Sequence, residues 1–117
     1  MITGAHTIIY ATDPDAARTF LRDVLGLSNV DAGGGWLIFR SPPGELALHP
    51  AGDAPKHELY LMCDDIETTV AELEAKGVTF TSGISDQGWG RLCSLDLPGA
   101  GSLGLYEPRH PTAYDLP

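Results

Sequence analysis

The residues of this chain that are best suited to chemistry are three histidines and a glutamate placed at equivalent points of an internal repeat. Residues 6–13 return as residues 57–64, a spacing of 51 residues (57 − 6 = 64 − 13 = 51). His49 and Glu107 each end a short apolar stretch and are each followed by proline. Two copies of one folding unit are therefore predicted. A site shared between the copies would hold His6, His49, His57 and Glu107.

Two histidines with one carboxylate form a ligand set for a divalent transition metal. Such a set suits Fe(II), Mn(II), Ni(II) or Zn(II) and leaves coordination positions open for substrate oxygens. The cation would polarise a bound carbonyl or enolate oxygen while a neighbouring base moves a proton, and Fe(II) could also take dioxygen. A fourth protein ligand, His49, would reduce that freedom.

The two units are predicted to share the order βαβββ. In the first, residues 5–12 alternate as a strand, Asp13 caps a helix that starts with Pro14, and Gly26 ends it. In the second, Asp64 with Glu67 predicts a capping box. The remaining strands are predicted at about 28–32, 36–40 and 45–49 in the first unit and at about 57–63, 78–82, 90–96 and 102–107 in the second.

The chain is predicted to be one domain over residues 1–117. Module 1 spans about 4–50, a polar linker precedes module 2 at about 57–108, and residues 109–117 form a short tail. Residues two apart in a strand share a face, so Glu107 shares its face with apolar neighbours, as the histidines do. If those faces line one curved sheet, the four polar groups converge at one edge of an apolar cleft.

Composition excludes several classes of partner. The net charge is −9, and seven Lys and Arg cannot build the basic face that nucleic acid requires. This acidity favours solubility, with attraction of a cationic ligand as the alternative reading. The sequence shows neither a membrane span nor a secretory signal, so we expect a cytoplasmic protein. Cys63 and Cys93 form no CxxC motif and are predicted to be reduced strand residues.

From His6 to Pro108 the sequence resembles the vicinal oxygen chelate superfamily, which includes glyoxalase I, fosfomycin resistance proteins, extradiol dioxygenases, methylmalonyl-CoA epimerase and bleomycin resistance proteins. The segments 88–91, 96–99 and 103–108 are similar to its last two strands, with a leucine inserted between Asp96 and Pro98. The resemblance implies an α+β fold of paired βαβββ modules that form a curved mixed sheet around a cleft. It also implies that His6, His57 and Glu107 are metal ligands and that His49 takes an optional fourth position.

Further residues follow from this resemblance. Glyoxalase I usually has glutamate where this chain has His49, so glyoxalase activity is in doubt. Extradiol dioxygenases carry an additional catalytic group, for which Tyr10, Tyr60 and Tyr106 are the candidates, and we assign it to Tyr10. Arg91 would anchor an anionic substrate group or be an ordinary surface arginine. Trp36 and Trp89 are predicted to lie in the core or in the cleft wall, and His110 is predicted to be solvated in the tail.

Two functional hypotheses result. The first is a divalent-metal enzyme that acts on a small oxygen-bearing substrate by lyase, isomerase or dioxygenase chemistry, with Glu107, Tyr10 and Arg91 as catalytic residues. The second is a metal-free small-molecule binding protein like the bleomycin resistance proteins. In either case each unit presents more apolar sheet than its single helix covers, so the units must pack against each other or against a second chain. A homodimer is expected, in agreement with what the resemblance implies.

Overall fold

The computed structural model describes residues 6–117 as two helices, a two-stranded sheet and a four-stranded sheet. This confirms the predicted α+β class. In chain order the elements are α1 (Pro14–Asp23), β1 (Asn29–Asp31), β2 (Leu37–Phe39), β3 (Tyr60–Met62), α2 (Ile66–Ala75), β4 (Ser85–Asp86), β5 (Gly90–Leu97) and β6 (Gly101–Pro108).

The larger sheet is built from the second unit in the order β3-β6-β5-β4. The two long strands β5 and β6 form an antiparallel hairpin, in which Leu92 pairs with Tyr106 and Leu97 with Gly101. Strand β3 adds in parallel to the other edge of β6, with Tyr60 opposite Gly104. Strands β1 and β2 of the first unit form the separate antiparallel pair.

Both helices cover the same face of the larger sheet. Phe20 of α1 packs with Leu95, Leu97 and Leu103 of the central strands, and Ile66 of α2 closes a second cluster with strand residues beside it. Helix α1 belongs to the first repeat in sequence but packs on the sheet of the second. Burying a side chain of the size of Phe20 contributes about 2 kcal/mol to stability. Because this packing covers one face of the sheet, only the opposite face is left for a ligand.

Side-chain caps set the helix boundaries. The Asp13 carboxylate accepts a hydrogen bond from the Ala16 amide at 3.1 Å, as the sequence predicts. In the second helix the cap is Asp65, which accepts from the Thr68 amide at 3.2 Å. The prediction of Asp64 as the cap was therefore wrong by one residue. Gly77 follows α2 with φ +86°, a conformation that glycine adopts without strain.

Three predicted strands are not formed as strands, and a fourth, 57–63, pairs only over Tyr60–Met62. Among the described residues, 6–12 and 45–49 have no strand pairing, and in 78–82 only Phe80 makes an isolated bridge, to Leu95. Strand β4 instead lies in the predicted loop. A strand needs a ladder partner, and segments 6–12 and 45–49 have none among residues 6–117. They expose apolar side chains, notably Ile8, Tyr10, Leu46 and Leu48 at 62%, 87%, 95% and 94%.

The two helices of the described chain are ten residues each, and neither has the length and apolar composition needed to cross a bilayer.

Candidate functional site

The face of the larger sheet opposite the helices is defined here as the open face. Strand alternation places Tyr60, Ser94, Ser102, Gly104 and Tyr106 on it, while the residues between them are buried under α1 and α2. Neither helix packs on this face, and its side chains are half-buried or exposed. It is therefore the surface of the sheet that could receive a small molecule.

Five rings gather at one end of the open face and form what we call the aromatic cluster. Tyr106 is central: its ring centroid lies 5.7 Å from that of Trp89, 6.2 Å from that of Tyr60 and 5.8 Å from that of His110. His49 meets Trp89 edge-on at 6.0 Å. The Trp89 and Tyr106 planes are inclined at 63°, so they form two walls of a corner.

Two glycines in the central strands make room for these rings. A Cβ at Gly104 would overlap the Tyr60 ring, and a Cβ at Gly90 would overlap the Tyr106 ring. Each ring therefore lies directly over strand backbone, where any larger residue would displace it. The pairing of glycine with a cross-strand aromatic residue determines the shape of the aromatic cluster.

Carboxylates flank the aromatic cluster on two sides. The Tyr60 hydroxyl donates to Glu58 Oε2 at 2.7 Å, which lowers the pKa of Glu58 and raises that of Tyr60. Lys56 lies 3.0 Å from the other Glu58 oxygen. On the opposite side, Glu45 Oε2 accepts from the Ala113 amide at 2.8 Å. Burial raises the pKa of Tyr106, and the negative charge of Glu45 adds to that effect.

A cavity of about 340 Å³ adjoins the aromatic cluster. Tyr60 belongs to both, because its ring meets Tyr106 on one side and lines the cavity on the other. His57, Glu58, Ser94, Ser102 and Gly104 also line the cavity. Hydroxyls, a carboxylate and an imidazole thus lie beside an aromatic surface, as in many small-molecule sites.

Glu107 lies on the helix-covered face of β6. Its Oε1 accepts a hydrogen bond from the Ile66 amide at 3.0 Å, at the first residue of α2, and its Oε2 is 3.9 Å from Arg109 Nε. Leu103 and Leu105 share this face and are buried in the core. The predicted shared face of these residues is therefore correct, but the inference that it lines the cleft was wrong, because the helices cover it.

The other predicted ligands are spread over the molecule. His57 lines the cavity, His49 packs on Trp89, and His6 is exposed. Within residues 6–117 no three His, Cys, Asp or Glu side chains come together as a metal-binding group. In the single chain, with Glu107 bonded to the start of α2, these residues do not fit a common metal ion. The ligand set stays a prediction that rests on the repeat.

The remaining predicted residues are placed as follows. Tyr10 is exposed outside the larger sheet. Arg91 Nη2 lies 2.7 Å from Glu67 Oε1 of α2, on the helix-covered face. Trp36 lies in the first unit, where the Arg18 guanidinium stacks 4.7 Å from its ring centroid. Both cysteines are free thiols, and burial raises the pKa of each.

Sequence reasoning offered Tyr60 and Tyr106 only as alternatives to Tyr10, did not consider Glu45, and placed His110 in solvent. One usable signal was present: glycine and aromatic residues alternate in β6 as Gly104 and Tyr106, and Gly90 follows Trp89. A glycine inside a strand often marks a close approach by another group. The cross-strand register that completes each pair is a tertiary property.

The family model described as Glyoxalase/Bleomycin resistance protein/Dioxygenase superfamily matches residues 4–108. In sequence, no curated protein matches the chain significantly.

Several solved structures share the fold. A lactoylglutathione lyase from Agrobacterium tumefaciens superposes with a TM-score of 0.65 at 21% identity, covering 90% of this chain and 92% of that one. TnmS3, an antibiotic binding protein from a Streptomyces species, superposes with a TM-score of 0.64 at 22% identity, covering 92% of this chain and 98% of that one. A member of the Glyoxalase/bleomycin resistance protein/dioxygenase superfamily from Sphaerobacter thermophilus superposes with a TM-score of 0.63 at 24% identity, covering 91% of this chain and 98% of that one.

Proposed function

This chain belongs to the Glyoxalase/Bleomycin resistance protein/Dioxygenase superfamily, and from that premise we propose that it binds a small aromatic molecule on the open face of its sheet. The observation that carries the proposal is the aromatic cluster with its adjoining cavity. Trp89 keeps 47% of its surface exposed and Tyr60 keeps 38%, although both contact Tyr106. A flat ligand would cover ring surface that the chain itself leaves open.

Energetics support a ring-bearing ligand. Each aromatic contact contributes about 0.5–1.5 kcal/mol beyond the burial of area, and two inclined walls allow stacking on one ring with edge contact to the other. The hydroxyls of Ser94 and Ser102 at the cavity would orient polar groups of the ligand. The likeness to TnmS3, which is named for antibiotic binding, is consistent with this use of the fold.

Fluorescence of the two tryptophans tests the proposal directly. In Trp36→Phe the only remaining indole is Trp89, so a ligand on the open face should quench it or shift its emission. The probes are three flat dyes of different charge: proflavine (cationic), acridone (neutral) and 1-anilinonaphthalene-8-sulfonate (anionic). At least one should bind. With affinity read from the absorption or emission of the dye itself, Trp89→Ala should weaken binding about tenfold or more while Trp36→Ala leaves it unchanged. Failure of all three dyes, or equal affinity in Trp89→Ala, contradicts the proposal.

A second candidate function is the metal-dependent enzyme, and the repeat of His6 at His57 supports it. His57 lines the cavity, so a substrate oxygen bound there would be beside an imidazole. Fe, Mn, Ni or Zn held by His6, His57 and Glu107, with or without His49, would act as a Lewis acid toward that oxygen. Glu107 would first have to release the Ile66 amide. Tyr10 and Arg91 remain the proposed additional catalytic residues.

Metal analysis separates the two functions. Protein purified without affinity tag or chelator should carry stoichiometric transition metal if it is the enzyme, and His57→Ala should lose most of it. Metal affinity should also fall as pH drops through the histidine range, because protonated imidazole cannot ligate. Stoichiometric metal retained in His57→Ala contradicts the ligand set.

We also propose that the chain forms a homodimer. Segments 6–12 and 45–49 expose large apolar side chains and have no strand partner in the part of the chain that the structure describes. Pairing with a second copy would satisfy their backbone groups and bury Tyr10, Leu46 and Leu48. Sedimentation at micromolar concentration should give a dimer that Leu46→Asp disrupts, and a strictly monomeric protein contradicts the proposal.

The same dimer can be tested for a shared metal centre. Mixing inactive His6→Ala and Glu107→Ala chains under subunit exchange should restore one intact centre per mixed dimer if the ligands come from both chains. A centre built within one chain should regain none.

A further inference from the structure

We propose that the ligand of the open face is a flat aromatic cation and that Glu45 is its charge partner. This inference rests on the proposed function, because it names the chemical class that the aromatic cluster would accept. It is carried by the position of one carboxylate beside the cluster and by the pairing of the charges around it.

Glu45 is held beside the cluster with one oxygen committed. Its Oε2 accepts from the Ala113 amide at 2.8 Å, which ties the segment after β6 to the segment before His49. Its Oε1 lies 3.9 Å from His110 Nε2, beyond direct hydrogen-bond distance. The side chain is only 18% exposed, so screening by water is reduced. Oε1 thus makes no hydrogen bond within the described residues, and a ligand at the cluster could approach it beside His110.

The other charges near the cluster are already paired. Glu58 has Lys56 at 3.0 Å and the Tyr60 hydroxyl at 2.7 Å. Arg109, which follows β6, lies 2.7 Å from Asp86. Within residues 6–117, Glu45 is therefore the carboxylate beside the cluster that has no Lys or Arg partner. The chain as a whole is strongly acidic, which disfavours an anion.

The rings add to this preference for a cation. A cation over the face of Trp or Tyr is attracted by the ring quadrupole, with Trp the strongest. Trp89 and Tyr106 present two inclined faces 5.7 Å apart at their centroids. A planar cation would stack on one ring while its charge lies toward Glu45. A neutral ring gains the stacking alone, and an anion meets repulsion from both sources.

The experiment compares proflavine, acridone and 1-anilinonaphthalene-8-sulfonate on the Trp36→Phe background. Proflavine should bind at least tenfold more tightly than the other two dyes. Glu45→Gln should weaken proflavine about tenfold, or about 1.4 kcal/mol, and leave acridone unchanged. Glutamine keeps an amide oxygen for the Ala113 amide, so the tail stays attached. Glu72→Gln, which removes the same charge from the exposed surface of α2, is the matched control.

Each outcome has a defined meaning. Loss of proflavine affinity in Glu45→Gln but not in Glu72→Gln supports the inference. Equal losses in the two variants show that only net charge matters and overturn the role of Glu45. Tighter binding of the anionic or the neutral dye overturns the cation preference while the proposed function stands. Failure of every dye overturns both proposals together.

Discussion

Tyr60 of β3 lies over Gly104 of β6, its cross-strand partner, so closely that a single methyl group on Gly104 would overlap the ring. The contact links the backbone of β6 to the aromatic cluster. Because Gly104 has no side chain, the Tyr60 ring reaches Tyr106 and its hydroxyl reaches Glu58. The aromatic surface of the open face therefore depends on a residue that has no side chain of its own.

Replacing Gly104 with alanine should displace Tyr60 and disrupt the aromatic cluster. Overpacking of this kind costs about 1–3 kcal/mol, and dye binding should weaken with it. Gly83→Ala is the control, because a Cβ there meets nothing within 4 Å and φ is not in the left-handed region. Urea unfolding and dye titration measure both effects. A Gly104→Ala protein as stable as Gly83→Ala would contradict the close contact.

Glu107 should behave as an acceptor for helix α2. Glu107→Ala leaves the amide of Ile66, a fully buried residue, without its 3.0 Å partner, which should cost about 1–3 kcal/mol in unfolding free energy. Glu107→Gln keeps an amide oxygen in place and should cost less. If both variants retain the metal content of the parent protein, Glu107 is not a ligand. Loss of stoichiometric metal in the otherwise stable Glu107→Gln would instead support the enzyme.

The position of the α2 cap can be tested with a neighbouring pair. Asp65→Ala removes the acceptor of the Thr68 amide and should lower the thermal midpoint by about 4 °C. Asp64→Ala, one residue earlier, should leave it nearly unchanged. Thermal unfolding followed by circular dichroism measures both. The reverse ranking would show that Asp64 caps the helix after all.

The hydrogen bond between Tyr60 and Glu58 predicts that the free energy of unfolding depends on pH and falls at both acidic and alkaline pH. The folded pKa of Glu58 is lowered from 4.5, so its contribution is present above that value and is lost as pH falls through the lower folded pKa. The folded pKa of Tyr60 is raised from 10.0, so its contribution is present below that value and is lost as pH rises.

Spectrophotometric titration of tyrosine checks the raised pKa of Tyr60. Glu58→Gln should move the Tyr60 titration down toward its ordinary value, because the charged acceptor that raises its pKa is gone. Tyr60→Phe identifies which titration step belongs to Tyr60. A Tyr60 titration that is identical in the parent protein and in Glu58→Gln would contradict the hydrogen bond.

Local signals in the sequence were sufficient for the helices and the long hairpin. Asp13 followed by Pro14 is a start signal that acts within one helical turn, and it gave the start of α1 correctly. The strands β5 and β6 were found by their apolar pattern and by the turn between them. The family resemblance was also readable from the sequence, and the family model that matches residues 4–108 confirms it.

The tertiary structure alone decided which face of the sheet became the site. Side chains of a strand alternate between its two faces, so the sequence shows that Leu103, Leu105 and Glu107 share a face. It does not tell which face of the sheet the helices will cover. Helix α1 packs on the sheet of the second unit, so Glu107 meets α2 and the open face is left to Tyr60 and Tyr106. The apolar pattern of residues 6–12 and 45–49 predicts strands, yet a strand forms only where another strand pairs with it. Short-range sequence signals therefore determined the elements, whereas long-range packing determined which side chains meet.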